Sequence, residues 1–247
     1  MDRLIYTAMT GARHTFLQQA GVAHNLSNAS TLGYRSMEHR FRAVPVQGEA
    51  APTRAFVVDA SVADVFDQGP LMATGRALDV AVHGAGWIAV ETPEGGEAYT
   101  RAGNLQINAN GQLQTASGLN ILGEGGPIGI PPDNSVTIAP DGTVSAIPLF
   151  GTPNNVNVVA RIKLVNPPED QLKRGDDGLF RLKSGNPADT DETVRLAPET
   201  LEGSNVNPVD SMVSMISLAR QFEMQIKMLQ TADANANKAG QILSMNR

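Results

Sequence analysis

The side chains able to do chemistry in this chain are few and poorly placed for it. Glu91, Glu94 and Glu97 put three carboxylates close together in sequence, and a carboxylate pair can cut a glycan by combining an acid with a nucleophile. Their spacing spans Pro93 and Gly95-Gly96, so a solvated hairpin tip explains them better than a cleft. His14, His24, His39 and His83 show neither H-E-x-x-H nor another paired ligand spacing and read as surface or packing residues. Cysteine is absent, which excludes disulfides, zinc–thiolate centres and thiol nucleophiles. Gly84-Ala85-Gly86 and Gly123-Glu124-Gly125-Gly126-Pro127 look superficially like phosphate-cradling loops. Neither opens a helix in a βαβ unit, so both read as turns. Arg35, Arg40 and Arg42 form a basic group suited to an anionic polymer, but a solvated connector pairing with acidic neighbours is the simpler reading. No catalytic residue, cofactor site or metal site is assigned.

What positions these residues follows from size and pattern. With 247 residues, 41% of them hydrophobic, the chain can bury a real core in one or two domains. Its net charge is −6 and like charges never run in a block, so it has no basic stripe for nucleic acid. No window approaches the length of apolar chain that a membrane-spanning helix needs. The opening Met1-Asp2-Arg3 lacks the apolar stretch of a Sec signal peptide; a different export route with an uncleaved signal fits equally well.

Both ends of the chain read as helices. Residues 3–28 carry Ile5, Met9, Ala12, Phe16, Ala23 and Leu26 in alternating steps of four and three, with polar Gln19 in the broken slot. Residues 208–245 carry Met215, Leu218, Phe222, Leu229, Ala232, Ala236, Ala239 and Leu243 in the same rhythm, broken at Gln225. This spacing aligns the side chains in one stripe, as in a coiled-coil seam. Asp2 suits the first N-cap, and Asn207-Pro208 supplies a cap and a first helical residue for the second. Gly11 and Gly21 weaken the first helix, which needs a partner to pack on. The second helix would be roughly 57 Å long, more than a compact β domain can cover. Asn25 and Asn28 either set register across the helix seam or cap the helix end. Met9, Met212, Met215, Met224, Met228 and Met245 read as core or interface fillers rather than a metal box.

Residues 34–74 show no sustained period and read as an extended connector in which Phe56-Val57-Val58 and Val62, Val65 and Phe66 suit short strands. From Gly75 the period becomes two. Leu78, Val80 and Val82 alternate with Asp79 and Ala81, and Asn110-Gly111 and Asp141-Gly142 sit between alternating runs as hairpin turns. Further strands fit 158–165 and 179–183. The expected fold is α+β: N- and C-terminal coiled-coil-type helices flanking an all-β central domain. The expected divisions are a helix over 1–33, the connector over 34–74, the β domain over 75–200 and a second helix over 201–247.

Three blocks in order resemble one family. Asn25-Leu26-Ser27-Asn28-Ala29-Ser30-Thr31-Leu32-Gly33-Tyr34-Arg35 resembles the N-terminal box N-L-A-N-x-x-T-x-G-[FY]-[KR] of flagellar rod and hook proteins. Leu78-Asp79-Val80-Ala81-Val82, then Gly84, Gly86 and Trp87, and Tyr99-Thr100-Arg101-Ala102-Gly103 resemble the family's β domain. Leu201-Glu202-Gly203-Ser204-Asn205-Val206-Asn207-Pro208, with Phe222-Glu223 and Lys227-Met228-Leu229-Gln230, resembles its C-terminal helix. Within the family the opening Met1–Met9 is most similar to proximal-rod members, because the Trp-containing opening usual in distal-rod members is missing. Ser27 and His24 depart from the usual residues at their positions.

The resemblance implies a non-enzymatic structural subunit of the bacterial flagellar basal-body proximal rod that polymerises through its terminal helices to build the torque-transmitting axial structure. It implies export by the flagellar type III apparatus without a cleaved signal peptide, a periplasmic position in the basal body, and other rod proteins and copies of itself as partners. Nucleic acid and membrane insertion are not expected. The subunit-interface residues expected are Ile5, Met9, Ala12, Phe16, Ala23, Asn25, Leu26, Asn28, Met215, Leu218, Phe222, Leu229, Ala232, Ala236 and Leu243. A distal-rod paralogue, a glycan-processing enzyme at the cell wall and a β-domain binding module dimerised by its helices are the rival readings.

Overall fold

The computed structural model describes residues 2–45, 55–148 and 157–244. Internal contacts divide the chain into two units: Met1–Ala29 with Ser36–Val65 and Val206–Arg247, and Ser30–Arg35 with Phe66–Asn205. The second unit therefore draws a short piece of chain from the N-terminal side of the hairpin described next.

The first unit contains helix α1 (Asp2–Ser27), an antiparallel hairpin of strands β1 (Met37–Pro45) and β2 (Ala55–Asp64), and helix α2 (Pro208–Ser244). Asn207 caps α2 as expected, its Oδ1 accepting the Val209 N–H at 3.0 Å. The hairpin occupies much of the stretch expected as a connector and runs in register from Met37 opposite Asp64 to Pro45 opposite Ala55, with a bulge between Arg40 and Phe41. Such a two-stranded ribbon is marginal by itself, and α1 supports it. Asn25 brackets the start of β1, donating to the Met37 carbonyl at 2.8 Å and accepting the Met37 N–H at 2.9 Å. The His14 ring meets Phe41 edge-on with centroids 5.6 Å apart. His39 lies against the bare backbone of Gly21, where a Cβ would come within 2.6 Å of its Cδ2.

One helix stands at each end of the chain, as expected, but the coiled-coil expectation is overturned. A coiled-coil seam requires Met9 and Phe16 to act as knobs in facing holes. They are instead 55% and 60% exposed, and α1 buries the small residues Ala8, Ala12 and Thr15. α1 and α2 pack on each other through a close, partly polar contact. Gln225 Nε2 donates to Thr15 Oγ1 at 3.2 Å, and a Cβ on Gly11 would stand 3.2 Å from the same Nε2. The short side chains explain the shift of face: they let two backbones approach where large knobs would hold them apart. The fold is α+β, with the two α-helices of the described residues bracketing a multi-strand β region in sequence.

Among the described residues the second unit is all β apart from one 3-10 turn at Glu169–Gln171. Its largest sheet runs Leu164–Val165, Trp87–Glu91, Glu97–Thr100, Phe180–Leu182, Leu172–Arg174, antiparallel throughout. A three-stranded antiparallel sheet orders Asn134–Ile138, Thr143–Pro148 and Asn157–Arg161. Asn110-Gly111 and Asp141-Gly142 turn the expected hairpins, with Gly111 at φ +77° and Gly142 at φ +85°, where a side chain would be strained. The expected single strand over 158–165 divides between the two sheets. Val80, Ala81 and Val82 are all buried, so a strand that alternates in sequence is covered on both faces. Ile88, Val90, Leu105, Leu113, Ile121 and Ile128 pack with Val80 and Val82 in the main core. A second cluster holds Trp87, Tyr99, Phe180 and, at its edge, Phe66.

Candidate functional site

Three segments of the second unit meet beside Trp87. Gly33 adopts φ +67°, and a Cβ there would fall 2.4 Å from the Arg101 carbonyl carbon, so only glycine lets the chain pass. Its N–H donates to the Glu202 carbonyl at 2.9 Å. Two residues on, Arg35 enters the interior with its side chain fully shielded, placing Nη2 2.6 Å from Glu202 Oε1. From the β domain Arg101 places Nη1 3.0 Å from Glu202 Oε2 and donates from Nη2 to the Gly84 carbonyl at 2.7 Å. Glu202 Oε1 also accepts the Gly69 N–H at 3.0 Å. The guanidinium carbons of Arg35 and Arg101 lie 6.0 and 5.3 Å from the Trp87 ring centroid, within cation–π range. Arg174 completes the cluster, donating to the Arg35 carbonyl and sitting 5.1 Å from the Tyr34 ring and 5.0 Å from the Phe180 ring.

The electrostatics are lopsided. Two buried guanidiniums share one buried carboxylate. Burial lowers the Arg101 pKa, Glu202 opposes that, and Arg35 reinforces it. Arg35 Nε and Nη1 have no hydrogen-bond partner among the described residues. Such a cluster favours one arrangement of chain strongly, because withdrawing Glu202 strands two guanidiniums away from water. The chemistry its members do is to hold. Of the basic group expected to be solvated, Arg40 and Arg42 are exposed, Arg40 facing Glu38 at 3.8 Å, while Arg35 is buried. Arg101 and Glu202 were not singled out at all. The available signal was that all three lie inside the blocks carrying the family resemblance.

The carboxylates weighed for glycan chemistry are otherwise engaged. Glu91 and Glu97 stand opposite each other across one hairpin. Glu91 accepts from Asn120 at 3.0 Å and Glu97 from Lys163 at 2.8 Å, while Glu94 is exposed at the tip. Among the described residues no group of His, Asp or Glu is arranged to hold a metal, and no helix is long and apolar enough to cross a membrane.

The expected interface residues divide by placement. Ala12 and Ala232 are buried, and Ile5, Ala23, Leu26, Met215, Leu218, Phe222, Leu229 and Ala236 are half-buried. Met9 and Phe16 project outward. Asn25 holds β1, and Asn28 Nδ2 donates to the His24 carbonyl at 2.9 Å, at the end of its own helix. The side chains of Ala239 and Leu243, and Met245 as a whole, lie outside the described residues. The sequence reading missed a second stripe: Val209, Met212, Val213 and Ile216 on α2 are exposed at helical spacing. Met224 and Met228 lie exposed further along, and Tyr6 is exposed on α1.

Comparisons with known proteins agree with this picture. The family model described as flagellar hook protein FlgE/F/G D1 domain matches residues 81–146. The model described as flagellar basal body rod FlgEFG protein C-terminal matches residues 197–242. The flagellar basal-body rod protein FlgF of Escherichia coli K12 is 45% identical over 252 aligned positions covering all of both chains. That of Salmonella typhimurium is likewise 45% identical over the full length of both. The flagellar basal-body rod protein FlgG of Agrobacterium fabrum is 32% identical, covering 95% of this chain and 97% of its own. The chain belongs to the FlgF group of the flagellar basal-body rod protein family.

Proposed function

We propose that this chain is a structural, non-catalytic subunit of the bacterial flagellar basal-body rod, in its proximal part, and that it joins neighbouring rod subunits through its terminal helices. The observation that carries the reading is full-length similarity to rod proteins in a chain whose helix faces leave Val209, Met212, Val213 and Ile216 exposed. Copies stacked head to tail without closing build an axial array, and a face of Val, Ile and Met supplies contact area that adapts to non-identical neighbours. The interface on this reading takes in Met9, Phe16 and the exposed α2 stripe, backed by the half-buried residues from Met215 to Ala236. Partners are other rod and hook-type components together with copies of this chain. Delivery is by the flagellar type III export apparatus, without a cleaved signal peptide, to a periplasmic position within the basal body.

Deleting the gene and imaging isolated basal bodies tests the proposal. The expected result is a non-motile strain whose basal bodies lack a complete rod, restored by the wild-type chain. Full motility with intact rods in the deletion strain would overturn it.

A further inference from the structure

We propose that Glu202 is the keeper of a latch: it holds the segments 30–35 and 201–205 on the β unit together, so that the two chain ends leading into α1 and α2 are secured or released as one event. Glu202 contributes at three levels. Its carbonyl accepts the Gly33 N–H at 2.9 Å, its carboxylate pairs with Arg35 at 2.6 Å and Arg101 at 3.0 Å, and Oε1 takes the Gly69 N–H at 3.0 Å. Neighbouring bonds reinforce the same closure: Asn205 N–H to the Tyr34 carbonyl at 3.3 Å and Gly203 N–H to the Pro70 carbonyl at 2.9 Å. These bonds join the segments to each other and to Gly69-Pro70.

The core beneath makes its own ladder. Leu113 donates to the Ile128 carbonyl at 2.9 Å, Ile121 to Leu113 at 2.9 Å and Ile128 to Ile121 at 3.2 Å. Opening the latch breaks none of these, so the unit contains two cooperative pieces of different stability. Because one carboxylate serves two buried guanidiniums, withdrawing 201–205 strands both Arg35 and Arg101 without a counter-ion, while withdrawing 30–35 takes from Glu202 its ion pair with Arg35 and the Gly33 N–H on its carbonyl, so loss of one segment favours loss of the other.

Native-state hydrogen exchange on the purified full-length chain, in low denaturant, tests it. The amides of Gly33, Gly69, Gly203 and Asn205 are expected to share one opening with one denaturant slope, exchanging at least about tenfold faster than Leu113, Ile121 and Ile128. Glu202→Gln is expected to speed the latch amides at least about 100-fold, with a shift in emission from Trp87, the one tryptophan, whereas Ile128→Val in the core is expected to speed Leu113, Ile121 and residue 128 and leave the latch amides unchanged. Latch amides that open independently, or open only together with the core, would overturn the proposal, as would faster latch exchange in Ile128→Val. If Glu202→Gln does not fold, the wild-type exchange pattern decides alone.

Discussion

Arg35 and Glu202 form an ion pair of 2.6 Å in which both side chains are fully shielded from solvent. Arg35 lies a short way after α1 and Glu202 a short way before α2, so the pair ties together parts of the chain that the sequence holds far apart. Removing one partner should cost more than removing all the charges. Glu202→Gln is expected to destabilise the second unit by about 3–5 kcal/mol, because two guanidiniums lose their buried counter-ion. Joint replacement of Arg35 and Arg101 by Met with Glu202 by Leu should recover a large part of that loss. Urea unfolding followed by Trp87 fluorescence reads both.

Glycines near the cluster differ in why they are glycine. A Cβ on Gly103 would lie 1.6 Å from the Val80 carbonyl oxygen, while Gly84, at φ +76°, has open space around it. Gly84→Ala should cost only the backbone strain, about 1–2 kcal/mol. Gly103→Ala must push apart the contact in which its own carbonyl accepts the Val80 N–H at 2.9 Å. Its loss should exceed about 3 kcal/mol, and urea midpoints of the two variants should rank accordingly.

Tyr99 carries an alkaline dependence. Its hydroxyl accepts the Ala188 N–H at 2.7 Å, and burial pushes the phenol well above its ordinary value. The folded state therefore keeps the proton while the unfolded chain loses it above about pH 10. Stability is full below that pH and declines as pH rises beyond it. Tyr99→Phe should remove this share of the decline and cost about 1–3 kcal/mol at neutral pH by leaving a buried N–H unpaired. Denaturant midpoints of both chains at about pH 8 and pH 11 check the two parts.

At the acid end three hairpin and turn carboxylates respond the other way. The Asp141 carboxyl is lowered chiefly by the Thr143 N–H and hydroxyl, Asp177 by Arg181, and Asp191 by the Thr193 hydroxyl and N–H. Unfolded aspartates bind protons near pH 3.9, and these folded ones do so lower. Their stabilisation is present above that value and fades as pH falls from about 5 through the folded values. The triple Asn variant should show a shallower loss of urea midpoint between about pH 5 and pH 2 than the parent chain.

The exposed stripe on α2 should matter to assembly and not to folding. Val213 and Ile216 are 63% and 56% exposed, so Val213→Asp and Ile216→Asp should each change stability by no more than about 0.5 kcal/mol. In a deletion strain complemented with these variants, swimming should be lost while secreted protein remains at wild-type levels. Normal swimming would detach the stripe from assembly.

Much of the fold is written in local pattern. The α2 boundary follows from Asn207-Pro208, and the turns at Asn110-Gly111 and Asp141-Gly142 follow from residues that tolerate positive φ. Those are decisions between neighbours in sequence, made by backbone sterics and capping. The β1–β2 hairpin was harder to see, because its support comes from Asn25, His14 and Gly21 on α1 rather than from alternation of its own residues. The helix contact departs from the seam for a related reason: periodicity marks apolar positions, but among the described residues α1 buries small ones, Ala8, Ala12, Thr15 and Gly21, leaving Met9 and Phe16 outside.

By itself the sequence determined the class of the protein: a helix at each end, a β region between them, no thiol chemistry, and family membership through three ordered blocks. Only the tertiary structure decided that Arg35 and Arg101 share the carboxylate of Glu202, one residue from each block, beside Trp87. The physical reason is range. Capping, turn formation and amphipathic spacing act over a few residues and leave a local signature, whereas charge compensation between distant segments depends on which of them the folded core buries together.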